Sequence, residues 1–416
     1  MLKWRTPMVV HWLSLIVVLW SGLVMGTTTG QAKTSKANQV KAAYIMDAKS
    51  GQAVYAQNAD EALPIASLSK LMTLYLVEEA IDHGQIKWTD IVPIQSNVQK
   101  MATSSTLSTM PMPKKTKFTV RELLAATLVG SSNSSAIALG EYVAGSNPKF
   151  IAKMNAQANQ WGINAHFVSA SGLDNTDLTT YDLNLKGTSA TAQNLVSAKA
   201  ITTVAQHLVN KYPSVLKVSN QRSVKIHGYK VPTSVLVLKG ESYYDARVPV
   251  DGLKTGYTDQ AGGCLVATFT LHGRRMIATT LGSKWKFTAN NNLRLQLKQQ
   301  GRYQQVAPTT IQYDVPGTQT TLRLVAQGHT NAWTYTDQTV TTTKQVVIKV
   351  LKSRPNYLAA RTPVMQLKLT NASAGTTTTI TYVTPTATVI GGPMQLATKP
   401  IVKQSLSLNA AFAFAN

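Results

Sequence analysis

Apolar and polar positions divide this chain into segments of different period. From Ala42 the run AAYIMDAKSGQAVYAQN reads as a strand, a turn over Ala48 to Gly51 and a second strand. It leads into PIASLSKLMT, residues 64–73, where Leu68, Leu71, Met72, Leu74, Tyr75, Leu76, Val77, Ala80 and Ile81 cover nearly every face of a helix that stops at Gly84. A helix apolar almost all round is buried. Thr119 and Glu122 have the spacing of a capping box for a helix from Val120 to Val129, and Asn147-Pro148 opens another that ends at Gly162. From Gly262, GGCLVATFTLHGRRMIATTLG predicts two strands about a turn at His272-Gly273-Arg274. Strand hairpin, helices, strand hairpin is an α+β order.

The texture changes near Gly301. From there to Asn416 the chain is rich in Thr and Val and carries short alternating runs such as VVIKVL and MQLKLT, which predict a separate, smaller all-β domain over 301–416. Its tail, SLSLNAAFAFAN, is apolar but short and uncharged, a poor amphipathic anchor. No tandem repeat is evident.

At the other end, Lys3 and Arg5 precede an apolar run from Met8 to Met25 and then Gly30-Gln31-Ala32, the layout of an export signal over residues 1–32. Gly-x-Ala suits cleavage after Ala32, and the run is also long enough to stay as an anchor. No later segment has the apolar length of a membrane span, so the chain from Lys33 onward is expected outside the cytoplasmic membrane, in the cell wall or on the membrane's outer face. A single cysteine, Cys264, forms no internal disulfide, so an exported chain of this kind must be held by its apolar core.

Charge narrows the partners. Lys and Arg total 41 against 18 Asp and Glu, a formal net charge of +23. Outside the cell such an excess points to anionic wall polymers or a membrane surface rather than nucleic acid, with colloidal solubility as the plainer explanation. The seven histidines show no pairing at i, i+4 and no carboxylate-rich surroundings, so no metal site is read, and no cofactor is implied.

Ser67 and Lys70 are three residues apart at the start of the buried helix and share a face, whereas Ser69 is turned aside by roughly 100°. A hydroxyl beside a buried amine is an activated nucleophile when the other parts of an acyl-transfer site are present. Alone, Ser-x-x-Lys is a product of composition. Two further stretches supply the parts: Ser131-Ser132-Asn133, in a polar turn between helices, and Lys254-Thr255-Gly256, opening the β-hairpin. Each by itself is an ordinary cap or turn. Their combination and order, S-x-x-K, S-x-N and K-T-G, is the motif set of penicillin-binding proteins and β-lactamases.

On these motifs, and on AYIMDAKSGQAVYAQN, IASLSKLMT, SSNSSAIAL, SGLDNTD and VDGLKTGYTDQAG, the chain resembles the serine D-Ala-D-Ala carboxypeptidases, low-molecular-mass penicillin-binding proteins, from about Ala42 to Gly301. The resemblance implies a serine penicillin-binding (β-lactamase-like transpeptidase) fold over residues 33–300, an antiparallel sheet flanked by helices. It implies removal of the terminal D-alanine of peptidoglycan stem pentapeptides through an acyl-enzyme, and acylation by β-lactam antibiotics. By the same resemblance Ser67 is the nucleophile and Lys70 its base. Ser131 and Asn133 relay the proton and hold the substrate amide, Lys254 and Thr255 hold the terminal carboxylate, and the backbone N–H groups of Ser67 and Tyr257, beside Gly256, form the oxyanion hole.

There are departures. Ile65 stands where relatives commonly have Pro, and Asn194 where they have an Asp in the helix after the SGLD loop. Some relatives place an Arg after the strand that follows K-T-G; LGSKWKFTAN offers only Lys284 and Lys286. A β-lactamase of the best-known class needs a Glu on a loop between S-x-N and K-T-G, and only Glu141 and Glu241 fall there, one in the helix after S-x-N and one near the K-T-G strand. D,D-endopeptidase and transpeptidase activities share the acylation step and stay open, as does a catalytically silent wall-binding protein.

Overall fold

The computed structural model describes residues 39–315, 320–336, 340–347, 356–371, 374–390 and 404–406. The export signal, most of the VVIKVL run and nearly all of the SLSLNAAFAFAN tail lie outside them. Strands β1 (Ala42–Asp47) and β2 (Ala53–Gln57) form the expected hairpin, with Gly51 at φ 70° in its turn, where a residue without Cβ is unstrained. A short 3₁₀ turn, Ala66–Ser69, then runs into helix α1 (Lys70–Asp82).

Helices α2 (Val120–Val129), α3 (Asn133–Ala144), α4 (Asn147–Gln160) and α5 (Ala198–Lys211) follow. The chain returns to strands β3 (Gly252–Thr258), β4 (Gly262–Leu271) and β5 (Arg274–Ser283) before helix α6 (Lys286–Gln300). The five strands make one sheet in the order β3-β4-β5-β1-β2, antiparallel throughout. This is the α+β arrangement expected. The order matters for the site: β1 is an inner strand, while β3, which carries Lys254-Thr255-Gly256, is an edge whose outer row of backbone groups has no strand partner among the described residues.

Burial explains the sequence texture. Every residue of β1 is buried, because Ala42, Tyr44 and Met46 face the helices while Ile45 faces α6 and the following strands. A strand covered on both faces reads as an unbroken apolar run rather than an alternation. Helix α1 is buried from Lys70 to Glu78 and packs against α3 and α5, so it has no solvent face to fill with charge. The capping box of α2 is formed as expected: Glu122 N–H donates to Thr119 Oγ1 at 3.3 Å and Thr119 N–H to Glu122 Oε2 at 2.8 Å.

After α6 every described element is a strand: β6 (Gly301–Gln305), β7 (Thr310–Asp314), β8 (Thr321–Gln327), β9 (Asn331–Tyr335), β10 (Val340–Val346), β11 (Asn356–Leu358), β12 (Pro363–Asn371), β13 (Thr376–Val383), β14 (Thr388–Ile390) and β15 (Gln404–Leu406). Six of them form an antiparallel sheet in the order β7-β8-β13-β12-β10-β15, and β6 pairs with β9.

These strands are fastened to the first hairpin by a buried polar knot that the sequence does not advertise. Asp47, fully buried at the end of β1, accepts from Arg274 Nε and from Arg274 Nη2 at 3.0 Å, from Trp333 Nε1 at 3.0 Å, and from the backbone of Lys49 and Ser50. The Arg274 guanidinium lies 4.1 Å from the centroid of the Tyr303 ring. Gln52 accepts from Trp333 N–H at 3.1 Å, and Ala56 N–H donates to Ala374 O at 2.8 Å.

Burial alone would raise the Asp47 pKa, but hydrogen bonds from Arg274 and Trp333 outweigh it and hold the carboxyl below its ordinary 3.8. Ionised Asp47 therefore stabilises the fold above that ordinary value, and the contribution is lost as pH falls through the lower folded value. Asp47→Ala leaves Arg274 and Trp333 without their acceptor, and the expected loss is about 3 to 5 kcal/mol. Urea denaturation at neutral pH measures it; an unchanged midpoint would mean that the knot holds nothing.

Candidate active site

The turn that carries Ser67 is held from two sides. Ala66 adopts φ 48°, and Gly172, itself at φ 81°, lies so close that a Cβ there would come within 2.0 Å of the Ala66 carbonyl oxygen. Ser67 lies in the 3₁₀ turn rather than in α1, so it and Lys70 are more nearly eclipsed than an α-helix would make them. Lys70 Nζ is 2.8 Å from Ser67 Oγ, 2.6 Å from Asn133 Oδ1 and 2.6 Å from the carbonyl oxygen of Ser171. Ser69 is tied elsewhere: its hydroxyl, fully buried, donates to Ala66 O at 2.7 Å.

These partners constrain the protonation state that can react. Asn133 Oδ1 and Ser171 O only accept, so each needs a proton of Lys70. A neutral amine has two N–H groups and one lone pair; with both N–H groups committed, the lone pair is left for the Ser67 hydroxyl proton. The same contact makes Asn133 point its oxygen at Lys70 and leaves its NH₂ free to donate elsewhere.

Ser131, Ser132 and Asn133 divide the work of the turn. Ser132 is the cap of α3, its Oγ accepting from Ser135 N–H at 3.2 Å. Ser131 stands at φ 61°, and among the described residues its hydroxyl has no hydrogen-bond partner. Asn133 is anchored by its backbone N–H to Ser108 O at 2.8 Å.

The third motif closes the site. Gly256 of β3 packs against the serine turn so tightly that a Cβ would meet the Ile65 carbonyl oxygen at 2.6 Å and Ser67 N at 3.2 Å. The edge strand and the backbone of Ser67 are therefore adjacent, an arrangement in which two backbone N–H groups can face one oxygen. Lys254 is fully buried and donates to Thr255 O at 2.9 Å; Thr255 is 6% exposed, and the Tyr257 side chain is outside at 62%. Lys70 of α1, Asn133 of α3, and Lys254 and Gly256 of β3 thus gather about Ser67 from three separate elements, with Ser131 on the turn that leads into Asn133.

The comparisons with known proteins are decisive here. The model of the D-alanyl-D-alanine carboxypeptidase family matches residues 27–285, well over half of the chain. The chain belongs to that family. It is 29% identical over 250 residues to D-alanyl-D-alanine carboxypeptidase DacF of Bacillus subtilis, covering 59% of this chain and 58% of that protein. It is 30% identical over 243 residues to DacC of Escherichia coli, covering 58% and 56%. The chain thus spans less than three-fifths of the length of these two curated relatives. Among solved structures it is similar to a peptidoglycan synthesis regulatory factor (PBP3) from Streptococcus pneumoniae, with a TM-score of 0.64, 29% identity, and coverage of 83% of this chain and 99% of that one. It is similar also to penicillin-binding protein D2 of Listeria monocytogenes in its cefotaxime-bound form, TM-score 0.51, 30% identity, covering 61% and 95%.

Three lysines, Lys70, Lys254 and Lys286, lie close enough to affect one another, and none has an acidic partner among the described residues. Burial, and then the charge of Lys254, push Lys70 well below its ordinary pKa. Burial, and then Lys286, bring Lys254 down to about 7. Burial lowers Lys286 too.

Two participants were hidden in the sequence. Ser171 contributes a backbone carbonyl, which no residue-type pattern marks. Asn194 is a correction: it lies in no helix but just before a short strand, Leu195–Ser197, where its Oδ1 accepts from Val168 N–H at 2.7 Å and Ser169 N–H at 3.0 Å and its Nδ2 donates to Ser169 O. It clamps the 168–171 segment that presents the Ser171 carbonyl. The only advance signal was the SGLD stretch itself.

Proposed function

We propose that this protein is a serine D-Ala-D-Ala carboxypeptidase that removes the terminal D-alanine of peptidoglycan pentapeptides and is acylated by β-lactams. The observation that carries the reading is the Lys70 amine, held by two fixed acceptors with its third position at Ser67 Oγ.

Ser67 Oγ attacks the carbonyl carbon of the penultimate D-alanine while its proton passes to Lys70 Nζ. The charge that develops on the carbonyl oxygen is met by the backbone N–H groups of Ser67 and Tyr257. The Asn133 NH₂ holds the substrate amide. The peptide C–N bond breaks as a proton reaches the leaving amine through Ser131, and water then releases the shortened peptide from Ser67. Lys254 and Thr255 bind the carboxylate end, and β-lactams enter the same cleft.

The reading places the catalytic part in residues 33–300, outside the cytoplasmic membrane behind the signal of residues 1–32, and an accessory β domain in 301–416. That region holds ten basic residues against Asp314 and Asp337, which supports attachment to an anionic wall polymer or membrane surface. Among the described residues no helix is long and apolar enough to cross a membrane.

Mass spectrometry after reaction with a fluorescent penicillin is expected to place the adduct on Ser67. Ser67→Ala should not label, and Ser69→Ala should label more weakly through a loosened turn. Label on Ser67→Ala would sink the assignment. D-alanine release from a pentapeptide, set against cleavage of a crosslinked dimer, tests the activity: faster cutting of the dimer means an endopeptidase.

A further inference from the structure

The Ser171 carbonyl, which commits one proton of Lys70, lies in a stretch, residues 168–172, that is neither helix nor strand. No backbone ladder fixes where it points, and side chains do so instead. Ser169 is the hub: its Oγ accepts from Ser171 N–H at 3.2 Å and from Gly172 N–H at 3.1 Å, and shares a hydrogen bond with Ser171 Oγ at 3.0 Å. Asn194 holds Ser169 by both of its backbone groups, accepting from the N–H and donating to the carbonyl at 2.8 Å, while it also accepts from Val168 N–H. A flipped amide would set its NH₂ against two N–H groups, so the orientation of Asn194 is fixed. From the other side Thr73, three residues along α1 from Lys70 and on the same face, donates to Ala170 O at 2.7 Å.

Asn194 is tied to the nucleophile as well. The strand it leads into, Leu195–Ser197, is the middle one of a three-stranded sheet, with Ala62–Pro64 on one side and Ala165–His166 on the other. Pro64 and His166 both pair with Leu195. The first flanking strand runs into the Ser67 turn and the second into residues 168–172, so the hydroxyl and the carbonyl are held to one frame, and Asn194 stands at its end. Thr73, Ser169, Ser171 and Asn194 are all buried, where a polar group left unpaired is costly.

We infer that Asn194, with Thr73 opposite it, is a positioning residue that decides, through the Ser171 carbonyl, which side of the Lys70 amine faces Ser67, an inference that rests on the acyl-transfer reading of Ser67. With Asn133 Oδ1 and Ser171 O both in place, the two N–H groups of the neutral amine are spent and its lone pair is left for Ser67 Oγ. With the carbonyl displaced, one N–H is released and can turn to the hydroxyl in place of the lone pair. Protonation responds too. A carbonyl accepts more strongly from an ammonium than from an amine, so Ser171 O favours protonated Lys70, and its displacement makes the amine easier to keep neutral. Among the described residues the charged group acting on Lys70 is Lys254 of β3, itself acted on by Lys286. Neutral substitutions at Asn194 and Thr73 leave both charges in place.

The test measures the second-order rate constant for acylation by a fluorescent penicillin across pH in wild type, Asn194→Ala, Thr73→Val and Thr73→Ser, with a thermal melt of each. Asn194→Ala should lower the alkaline plateau roughly ten- to a hundredfold, the effect of a misplaced catalytic group. It should also move the rising limb to the acid side by about one pH unit, the difference between a charge-assisted and a neutral hydrogen bond. Thr73→Val, which loses only a hydroxyl, should move plateau and limb in the same directions, and Thr73→Ser should restore both. A lower melting temperature alone is what a merely structural role produces. A limb that stays at its wild-type pH, or moves to the alkaline side, overturns the inference whatever the melt shows; if Asn194→Ala does not fold, the Thr73 pair decides by the same criterion. A wild type that forms no adduct on Ser67 overturns the underlying function and this inference with it.

Discussion

Lys70→Met is expected to slow acylation of Ser67 by roughly 10²- to 10⁴-fold, the usual worth of a positioned general base. Methionine fills the space of the stem but has no lone pair of comparable basicity, so the Ser67 hydroxyl loses the acceptor now 2.8 Å away. The second-order rate constant for reaction with a fluorescent penicillin measures the effect. A thermal melt of the same variant separates lost chemistry from lost fold, because Asn133 and the Ser171 carbonyl also lose their donor.

The wild type has a pH signature that goes with this. As the proposed base, Lys70 must be neutral, and burial together with the charge of Lys254 holds its pKa well below 10.5. The rate should therefore rise with pH along a limb that lies far to the acid side of an ordinary lysine, and fall as pH drops and Lys70 protonates. An acylation rate that kept rising tenfold per pH unit up to pH 10 would mean that Lys70 titrates as a solvated amine and that the site has been misread.

Gly256→Ala is the second large effect, and its origin is steric. The new methyl would sit 2.6 Å from the Ile65 carbonyl oxygen and 3.2 Å from Ser67 N, both backbone atoms of a turn already held by Ala66 and Gly172. Neither can yield without moving the other, so the edge strand and the Ser67 turn must part. Separation of the two backbone donors would remove the proposed oxyanion hole, for which loss of one donor costs about 10²- to 10³-fold. Acylation rate and D-alanine release should fall together while the melting curve shifts far less than the rate. Acylation within a few-fold of wild type would show that β3 and the turn do not jointly form the hole.

Much of this protein is legible before any coordinates. The period-2 and all-apolar runs mark β1, β2, β4, β5 and α1, because burial on one face, two faces or all round leaves a distinct pattern of side chains. Thr119 and Glu122 announce the start of α2, since a capping box is a local bargain between residues three apart. Ser67, Lys70, Ser131, Asn133 and Lys254 are legible as a set because their types and order are rare together, even though no one of them is informative alone.

What the tertiary structure decided is wherever function depends on backbone or on distance through space. The Ser171 carbonyl, which commits one proton of Lys70, has no side chain to notice. Asn194 is marked in the sequence only as a departure from relatives, and its clamp on Val168 and Ser169 exists only in the folded chain. Lys284 and Lys286 are interchangeable in one dimension, and only the packing of Lys286 on Gly263 turns one of them toward β3. Asp47 lies 227 residues from Arg274 and 286 from Trp333, so the knot between the first hairpin and the last strands exists only once the sheet is built. Local periodicity records which face of an element is buried; it does not record which distant charge, carbonyl or ring will share that burial, and that choice is made when the elements pack.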